Sequence, residues 1–103
     1  MYLAQVVGVV VSTKKDVNME GRKMLVLRPM VVDEKDPTSL KGLANTFVAV
    51  DSVGAGEGEM VLFCQGSSAR MAPGFKQAPV DAVIIGIVDT VDVLGTKVYK
   101  AGK

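Results

Sequence analysis

The segment DSVGAGEGEMVLFCQGSSAR, residues 51–70, decides how the rest of the chain is interpreted. It follows an apolar run, contains three glycines within five residues (Gly54, Gly56 and Gly58), and continues into a second apolar run, Met60 to Cys64. Glycines spaced this way allow positive φ angles or the close approach of two backbones, at an entropic cost. The pattern predicts a tight connection between two strands.

The glycine-rich segment does not match a phosphate-binding loop. A dinucleotide fingerprint needs G-x-G-x-x-G at the start of a helix, whereas the sixth position here is Glu59 and a short apolar run typical of a strand follows. A P-loop needs Lys-Ser or Lys-Thr after its glycines, and neither follows here. Glu57 and Glu59 would also repel a phosphate. We therefore expect a strand–loop–strand connection and no nucleotide cofactor.

Length and composition predict one domain spanning residues 1–103. Hydrophobic residues make up 49% of the chain but aromatic residues only 5%, so the core must consist of Val, Ile, Leu, Ala and Met, which favours strands. The formal net charge of +1 gives no basis for binding bulk nucleic acid or an anionic membrane. The longest apolar run, Ala82 to Val88, is far too short to span a membrane.

Histidine is absent and Cys64 is the single cysteine. Histidine is the usual general base and the commonest metal ligand, so we expect no catalytic residue, no cofactor and no metal site. Cys64 lies in an apolar run, which predicts a buried thiol, and without a disulfide framework or a secretion signal we expect a cytoplasmic protein. Four Asp residues near the ends of the later strands could suggest a metal site or an acid–base pair, but solvation of strand ends or hydrogen bonds within loops explain them better: Asp51, Asp81, Asp89 and Asp92.

Apolar runs separated by glycine and proline predict an all-β fold, a small OB-like Greek-key barrel with one short helix. We expect a bend or bulge at Gly8 and at Gly86, and an edge or bulge position for Pro29. Helical structure is predicted only for a capped turn from Ser67 through Met71 and for one turn within Thr38 to Leu43. The predicted strands are Met1 to Ser12, Lys23 to Val32, Phe47 to Val53, Met60 to Gln65, Asp81 to Val93, and Lys97 to Lys100.

Two of these strands are apolar on both faces, around residues 6–11 and 82–88. An antiparallel sheet that faces water on one side should alternate apolar and polar residues instead. The sequence has no long amphipathic helix to cover the outer surface, and a contiguous apolar patch marks an interaction surface. The pattern predicts an oligomer.

Other functions remain open at this point. An OB-type module that binds single-stranded nucleic acid needs a basic groove with stacking aromatics. Basic residues do cluster around the first hairpin, but Asp16 and Glu20 dilute them and aromatic residues are few, which favours a solvated loop. A small enzyme that uses carboxylates would need a concave acidic pocket. Arg70 is a candidate partner for a carboxylate of a neighbouring subunit: Asp51, Glu57 or Glu59.

The same segments resemble the pentameric vertex proteins of bacterial microcompartment shells, the EutN/CcmL family. The resemblance spans nearly the whole chain in the family's order, and its most specific pieces are the central segment and the IVDTV strand. Arg28, Ser52 and Cys64 depart from the residues we expect of the family. The matching pieces are LAQVVGVVVSTKK, GRKMLVLRPM, AVDSVGAGEGEMVLFCQGSSAR and PVDAVIIGIVDTVDV.

The resemblance implies an OB-like barrel that assembles as a homopentamer and caps the vertices of a shell tiled by hexameric proteins. It implies a structural role with no catalytic residues, and it covers carboxysome, ethanolamine, propanediol and glycyl-radical systems alike. Exposure alone makes Lys35, Asp36 and Lys41 candidates for contact with the hexamers. Residues that match the central motif are expected at assembly contacts or around a central pore: Gly54, Ala55, Gly56, Glu59, Ser67, Ser68 and Arg70.

Overall fold

The fold is known from a computed structural model that describes residues 1–12, 22–66 and 81–102. These ranges contain eight strands and no α-helix. The loop predicted between the first two strands and the helix predicted from Ser67 to Met71 lie outside the described residues. The strands are β1 (Tyr2–Val10), β2 (Lys23–Val32), β3 (Leu40–Gly42), β4 (Phe47–Asp51), β5 (Met60–Gln65), β6 (Ala82–Ile87), β7 (Thr90–Val93) and β8 (Thr96–Lys100).

Five strands close into a barrel in the order β1-β5-β6-β4-β2, and pairing of β1 with β2 completes the ring. Neighbours are antiparallel except β4 and β6, which are parallel at Val50↔Val83 and Asp51↔Ile84. The short strand β3 extends the sheet beyond β2, while β7 and β8 form a separate two-stranded sheet. The predicted OB-like all-β barrel is confirmed.

Alternate residues of the barrel strands fill its interior. Phe63 lies at one end of this core, with its ring 5.4 Å from that of Tyr2 and 4.8 Å from that of Phe47. Because few aromatic residues are present, small and branched side chains supply most of the packing. The core members are Ala4, Val6, Leu25, Leu27, Ala49, Ala55, Val61, Phe63, Ala82 and Ile84.

Two irregularities let the strands bend around this core. The β1–β2 register shifts between Val6 and Gly8, and the β5–β6 register shifts where Phe63 pairs with Ile84 after Leu62 pairs with Gly86. Bulges of this kind increase the local twist that closes a small barrel. The bends predicted at Gly8 and Gly86 are confirmed.

Pro29 lies where β2 changes one of its neighbours. Residues 23–27 of β2 pair with β4, and residues 30–32 pair with β3. Proline has no N–H to donate to a ladder, so a gap between two partners suits it. The predicted edge position of Pro29 is confirmed on this side of β2, whereas on the other side Pro29 pairs with Ala4 of β1.

Three sequence predictions are corrected. The segment predicted as one strand from Asp81 to Val93 forms two strands, β6 and β7. Strand β6 runs antiparallel to β5 and loses this partner where β5 begins, at Met60, whose carbonyl accepts the N–H of Val88. The chain then enters the β7–β8 sheet. Thr38 to Leu43 contains strand β3 rather than a helical turn, since residues 40–42 pair with β2. The third predicted strand ends at Asp51 instead of Val53.

Candidate assembly surface

The glycine loop, residues 51–59, connects β4 to β5 and is organised by the carboxylate of Asp51. Oδ1 of Asp51 accepts the N–H groups of Val53 at 3.0 Å and Gly54 at 3.1 Å, and Oδ2 accepts the N–H of Ala55 at 2.9 Å. An aspartate that binds the backbone two residues later is a common way to start a turn, and the ionised acceptor strengthens each bond. These bonds explain why β4 stops at Asp51.

A lysine and a serine fix the other side of the loop. Nζ of Lys23, at the start of β2, donates to the carbonyl of Ala55 at 2.6 Å. Oγ of Ser52 donates to the carbonyl of Ile84 at 2.6 Å, which ties the loop to β6. The contact of Lys23 with the loop was missed from the sequence, because Lys23 is one of the basic residues around the first hairpin, which were interpreted as part of a solvated loop. The sequence feature that could have predicted the loop hydrogen bonds of Asp51 is an aspartate at the end of a strand, three residues before the first glycine.

The end of the glycine loop continues the β1–β5 ladder. The N–H of Gly58 donates to the carbonyl of Val6 at 2.8 Å, and the N–H of Val6 donates to the carbonyl of Glu59 at 2.9 Å. Oε1 of Glu59 accepts the N–H of Gly56 at 2.7 Å. The loop is therefore held by β1, β2 and β6 of its own chain, which makes it a rigid element.

Two of the three loop glycines are required by backbone conformation. Gly54 has a φ of 83° and Gly58 a φ of 88°, in a region that other residues rarely adopt. For Gly56 no positive φ is found, and a Cβ at this position would meet Oε1 of Glu59 at 3.7 Å, an ordinary contact. The conformation of a single chain thus explains Gly54 and Gly58 but leaves room for a side chain at position 56.

The residues predicted to make assembly contacts occupy different environments. Gly54 is exposed, Gly56 and Glu59 are half-buried, and the side chain of Ala55 is buried in the core of its own chain. Ser67, Ser68 and Arg70 lie outside the described residues. The assembly role of this set stays a prediction, and Glu59 has an additional role inside the loop.

The outer surface of the barrel carries an apolar patch formed by Val7, Val26 and Val48. Val26 of β2 pairs with Gly8 of β1 on one side and with Val48 of β4 on the other, so the three strands present these side chains together. Val7 is 42% exposed and Val48 is 46% exposed. In a single chain this outer patch faces solvent, as the doubly apolar pattern of β1 predicted.

The second doubly apolar strand, β6, is different. Val83 pairs with Val50 of β4 and with Cys64 of β5, and both valines are buried within the single chain. Cys64 is half-buried rather than buried, which corrects the prediction of a buried thiol. The middle of β1 thus has an exposed apolar residue, Val7, whereas β6 exposes an apolar residue only at its end, where Ile87 is 39% exposed.

The ionisable and metal-binding side chains of the described ranges do not form a cluster. No group of three or more His, Cys, Asp and Glu residues in these ranges has the geometry to hold a metal ion. Asp36 accepts hydrogen bonds from the hydroxyl and the N–H of Thr38, and these bonds lower the pKa of its carboxyl below the ordinary value. An open groove of about 630 Å³ next to Val48 contains Asp81 as its only ionisable residue among those described.

Residues 1–12, 22–66 and 81–102 include no helix that is both long and apolar enough to cross a membrane. The described parts of the molecule define a small closed β-barrel with a rigid glycine loop and an uncovered apolar outer patch. Such a molecule is suited to packing against other proteins.

Comparison with known proteins identifies the family. The sequence profile of the family described as "Ethanolamine utilisation protein EutN/carboxysome" matches residues 1–89. The chain is 46% identical over 92 residues to the microcompartment shell vertex protein GrpN of Rhodospirillum rubrum, covering 89% of this chain and 97% of the relative. It is 46% identical over 90 residues to the shell vertex protein PduN of Salmonella typhimurium, covering 87% and 97%.

Solved structures agree with the sequence comparison. CcmL of Gloeobacter violaceus superposes with a TM-score of 0.84 at 44% identity, covering 98% of each chain. The GrpN pentameric microcompartment shell protein of Rhodospirillum rubrum superposes with a TM-score of 0.74 at 44% identity, covering 91% of this chain and 99% of that one. The chain belongs to the EutN/CcmL family.

Proposed function

We propose that the protein is a structural shell protein whose homopentamers cap the vertices of a bacterial microcompartment. The observation that carries this proposal is the uncovered apolar patch of β1, β2 and β4 in a chain whose 44% identical neighbour, GrpN, is a pentameric shell protein. Copies of the same chain would cover this patch in a ring. The shell of such a compartment lies in the cytoplasm.

A structural role also agrees with the relatives, which are named as shell vertex proteins. We therefore propose a structural role for the protein and assign no residue to catalysis. Contact with hexameric shell proteins belongs to the same proposal, because a vertex must join the facets around it. Three exposed residues in β3 or just before it are available for this contact: Lys35, Asp36 and Lys41. The alternative of an OB-type nucleic-acid-binding module finds no support in these relatives.

The first test is the mass of the native particle. Native mass spectrometry should give five times the 10.8 kDa mass of the chain. Mixing the particle with a hexameric shell protein should then produce closed polyhedra in electron micrographs, where the hexamers alone give open sheets or tubes. A stable monomer, or closed shells that form equally well without the protein, would contradict the proposal.

Gly56 offers a direct test of the assembly role of the glycine loop. Because a Cβ at position 56 makes only an ordinary contact within its own chain, Gly56→Ala should leave the fold of the barrel unchanged. If the loop packs against a neighbouring subunit, the same variant should dissociate at a higher protein concentration than the wild type. Sedimentation velocity over a dilution series measures this. Unchanged dissociation would remove Gly56 from the assembly contacts.

A further inference from the structure

The turn between β7 and β8 contains a leucine in a backbone conformation that leucine rarely adopts. Val93 pairs with Thr96, so the turn consists of Leu94 and Gly95, with φ angles of 52° and 80°. Two-residue turns with both φ angles positive favour Asn, Asp or Gly at the first position. Leu94 pays the steric cost of a positive φ there, and it is also 87% exposed.

The rest of the hairpin has one apolar and one polar face. The ladder places Val91 opposite Tyr99 on one face and Asp92 opposite Lys97 on the other, where their charged groups are 3.5 Å apart. Among the described residues the hairpin makes no extensive contact with any barrel strand. Because an isolated two-stranded hairpin is only marginally stable in water, contact with another surface would stabilise it.

We propose that the β7–β8 hairpin is an arm that docks on a second copy of this chain, with Leu94 as its anchor on the outer apolar patch of Val7, Val26 and Val48. This inference rests on the proposed function and deepens it. A closed ring of identical subunits needs two different surfaces on each chain, one to give and one to receive. The hairpin tip and the outer patch are two such surfaces, and both lack cover within a single chain.

The choice of a second copy follows from the position of the two surfaces. The hairpin has no extensive contact with β1, β2 or β4 of its own chain, whose outer side chains form the patch. An exposed leucine and a patch of three valines are complementary in chemistry, since burying both removes apolar area from water. The steric cost of Leu94 at a positive φ is then offset by its contact with the neighbouring subunit.

The variant Leu94→Asn separates the turn from the contact. It creates Asn-Gly, the most favoured sequence for this turn, so amide hydrogen exchange in β7 and β8 of the dissociated chain should become slower. The contact with the neighbour loses its apolar anchor, so the concentration at which the pentamer dissociates should rise about tenfold or more, as expected for the loss of one buried leucine. The variant should therefore stabilise the hairpin of the single chain and weaken the association of the subunits.

A matched control is Asp92→Asn, which introduces the same residue on the polar face of the same hairpin and should dissociate like the wild type. The proposal is overturned if Leu94→Asn dissociates like the wild type, if both variants are weakened equally, or if Leu94→Asn unfolds the barrel in circular dichroism, because the hairpin would then pack on its own chain. A monomeric wild type would contradict the proposed function itself, which distinguishes the two failures.

Cross-linking identifies the receiving surface. In a Cys64→Ala background, a chain that carries both Leu94→Cys and Val48→Cys should give, with a short bismaleimide, a ladder of covalent species up to five chains in a denaturing gel. Each single cysteine should stop at dimers. A native pentamer that yields no ladder from the double variant would exclude the outer patch as the docking site of the hairpin.

Discussion

A single carboxylate determines the shape of the glycine loop. Asp51 accepts three consecutive backbone N–H groups, and one of them belongs to Ala55, whose side chain is fully buried. Lys23 supports the same residue from the opposite side by donating to its carbonyl. Both backbone polar groups of Ala55 are therefore satisfied, which permits the burial of this residue.

Asp51→Asn should destabilise the protein by about 1–3 kcal/mol, since the amide supplies one acceptor oxygen where the carboxylate supplies two and the bonds lose their charge. Urea unfolding at one fixed protomer concentration measures the change, because assembly contributes to the apparent stability. Asp89→Asn, at an exposed position, should change the free energy of unfolding by less than about 0.5 kcal/mol. Equal effects of the two variants would contradict the role given to Asp51.

At the scale of elements, the short strand β3 is fixed by close packing against Arg28. Nη1 of Arg28 donates to the carbonyls of Leu43 at 2.8 Å and Ala44 at 3.2 Å, which holds the connection from β3 to β4. A Cβ on Gly42 would lie 2.8 Å from Cδ of Arg28, closer than side-chain atoms approach. Arg28, which differs from the residue we expected of the family, thus lies directly against a glycine.

Gly42→Ala should cost about 1–3 kcal/mol in the wild-type background, as expected for overpacking, and much less in an Arg28→Ala background where the obstructing side chain is absent. Chemical unfolding of the two single variants and the double variant gives the coupling energy, which should reach about 1 kcal/mol or more. Gly86→Ala, where a Cβ would make an ordinary 3.8 Å contact with Leu62, should show no coupling to Arg28→Ala. Additive effects of the Gly42 and Arg28 variants would disprove the contact.

At the scale of the whole molecule, the barrel has a filled interior and an exposed apolar patch on its outer surface. Its interior is filled by alternate residues of five strands, whereas the patch of Val7, Val26 and Val48 stays in contact with water in a single chain. A net charge of +1 gives little repulsion between copies. Association should therefore contribute a large part of the stability of the folded chain.

The melting temperature should accordingly rise with protomer concentration over a hundredfold range, because dissociation is coupled to unfolding. Differential scanning fluorimetry or calorimetry at several concentrations measures this. Val48→Lys, which places a charge in the outer patch, should lower the melting temperature and flatten its concentration dependence, whereas Asn45→Lys, at an exposed position in the loop before β4, should not. A melting temperature that is independent of concentration would show that the barrel is stable alone.

Local patterns in the sequence determined the strands and the connections between them. The bounds of β2 and β5 agree with the runs Lys23 to Val32 and Met60 to Gln65, and the glycine segment is the predicted strand–loop–strand connection. The bend at Gly8 was also predictable. These features depend on side-chain alternation and on backbone conformations that favour glycine, and both are properties of neighbouring residues along the chain.

Only the tertiary structure decided which partner each segment meets. In the structure, residues 81–93 belong to two different sheets, and Leu40–Gly42 forms a strand. Lys23 donates a hydrogen bond to the glycine loop. The tertiary structure also buries Val83 of β6 and leaves Val7 of β1 42% exposed, although both strands look equally apolar in the sequence. The reason is that pairing register and burial depend on residues that are distant in the chain, and a local sequence pattern does not show which distant residues a segment will contact.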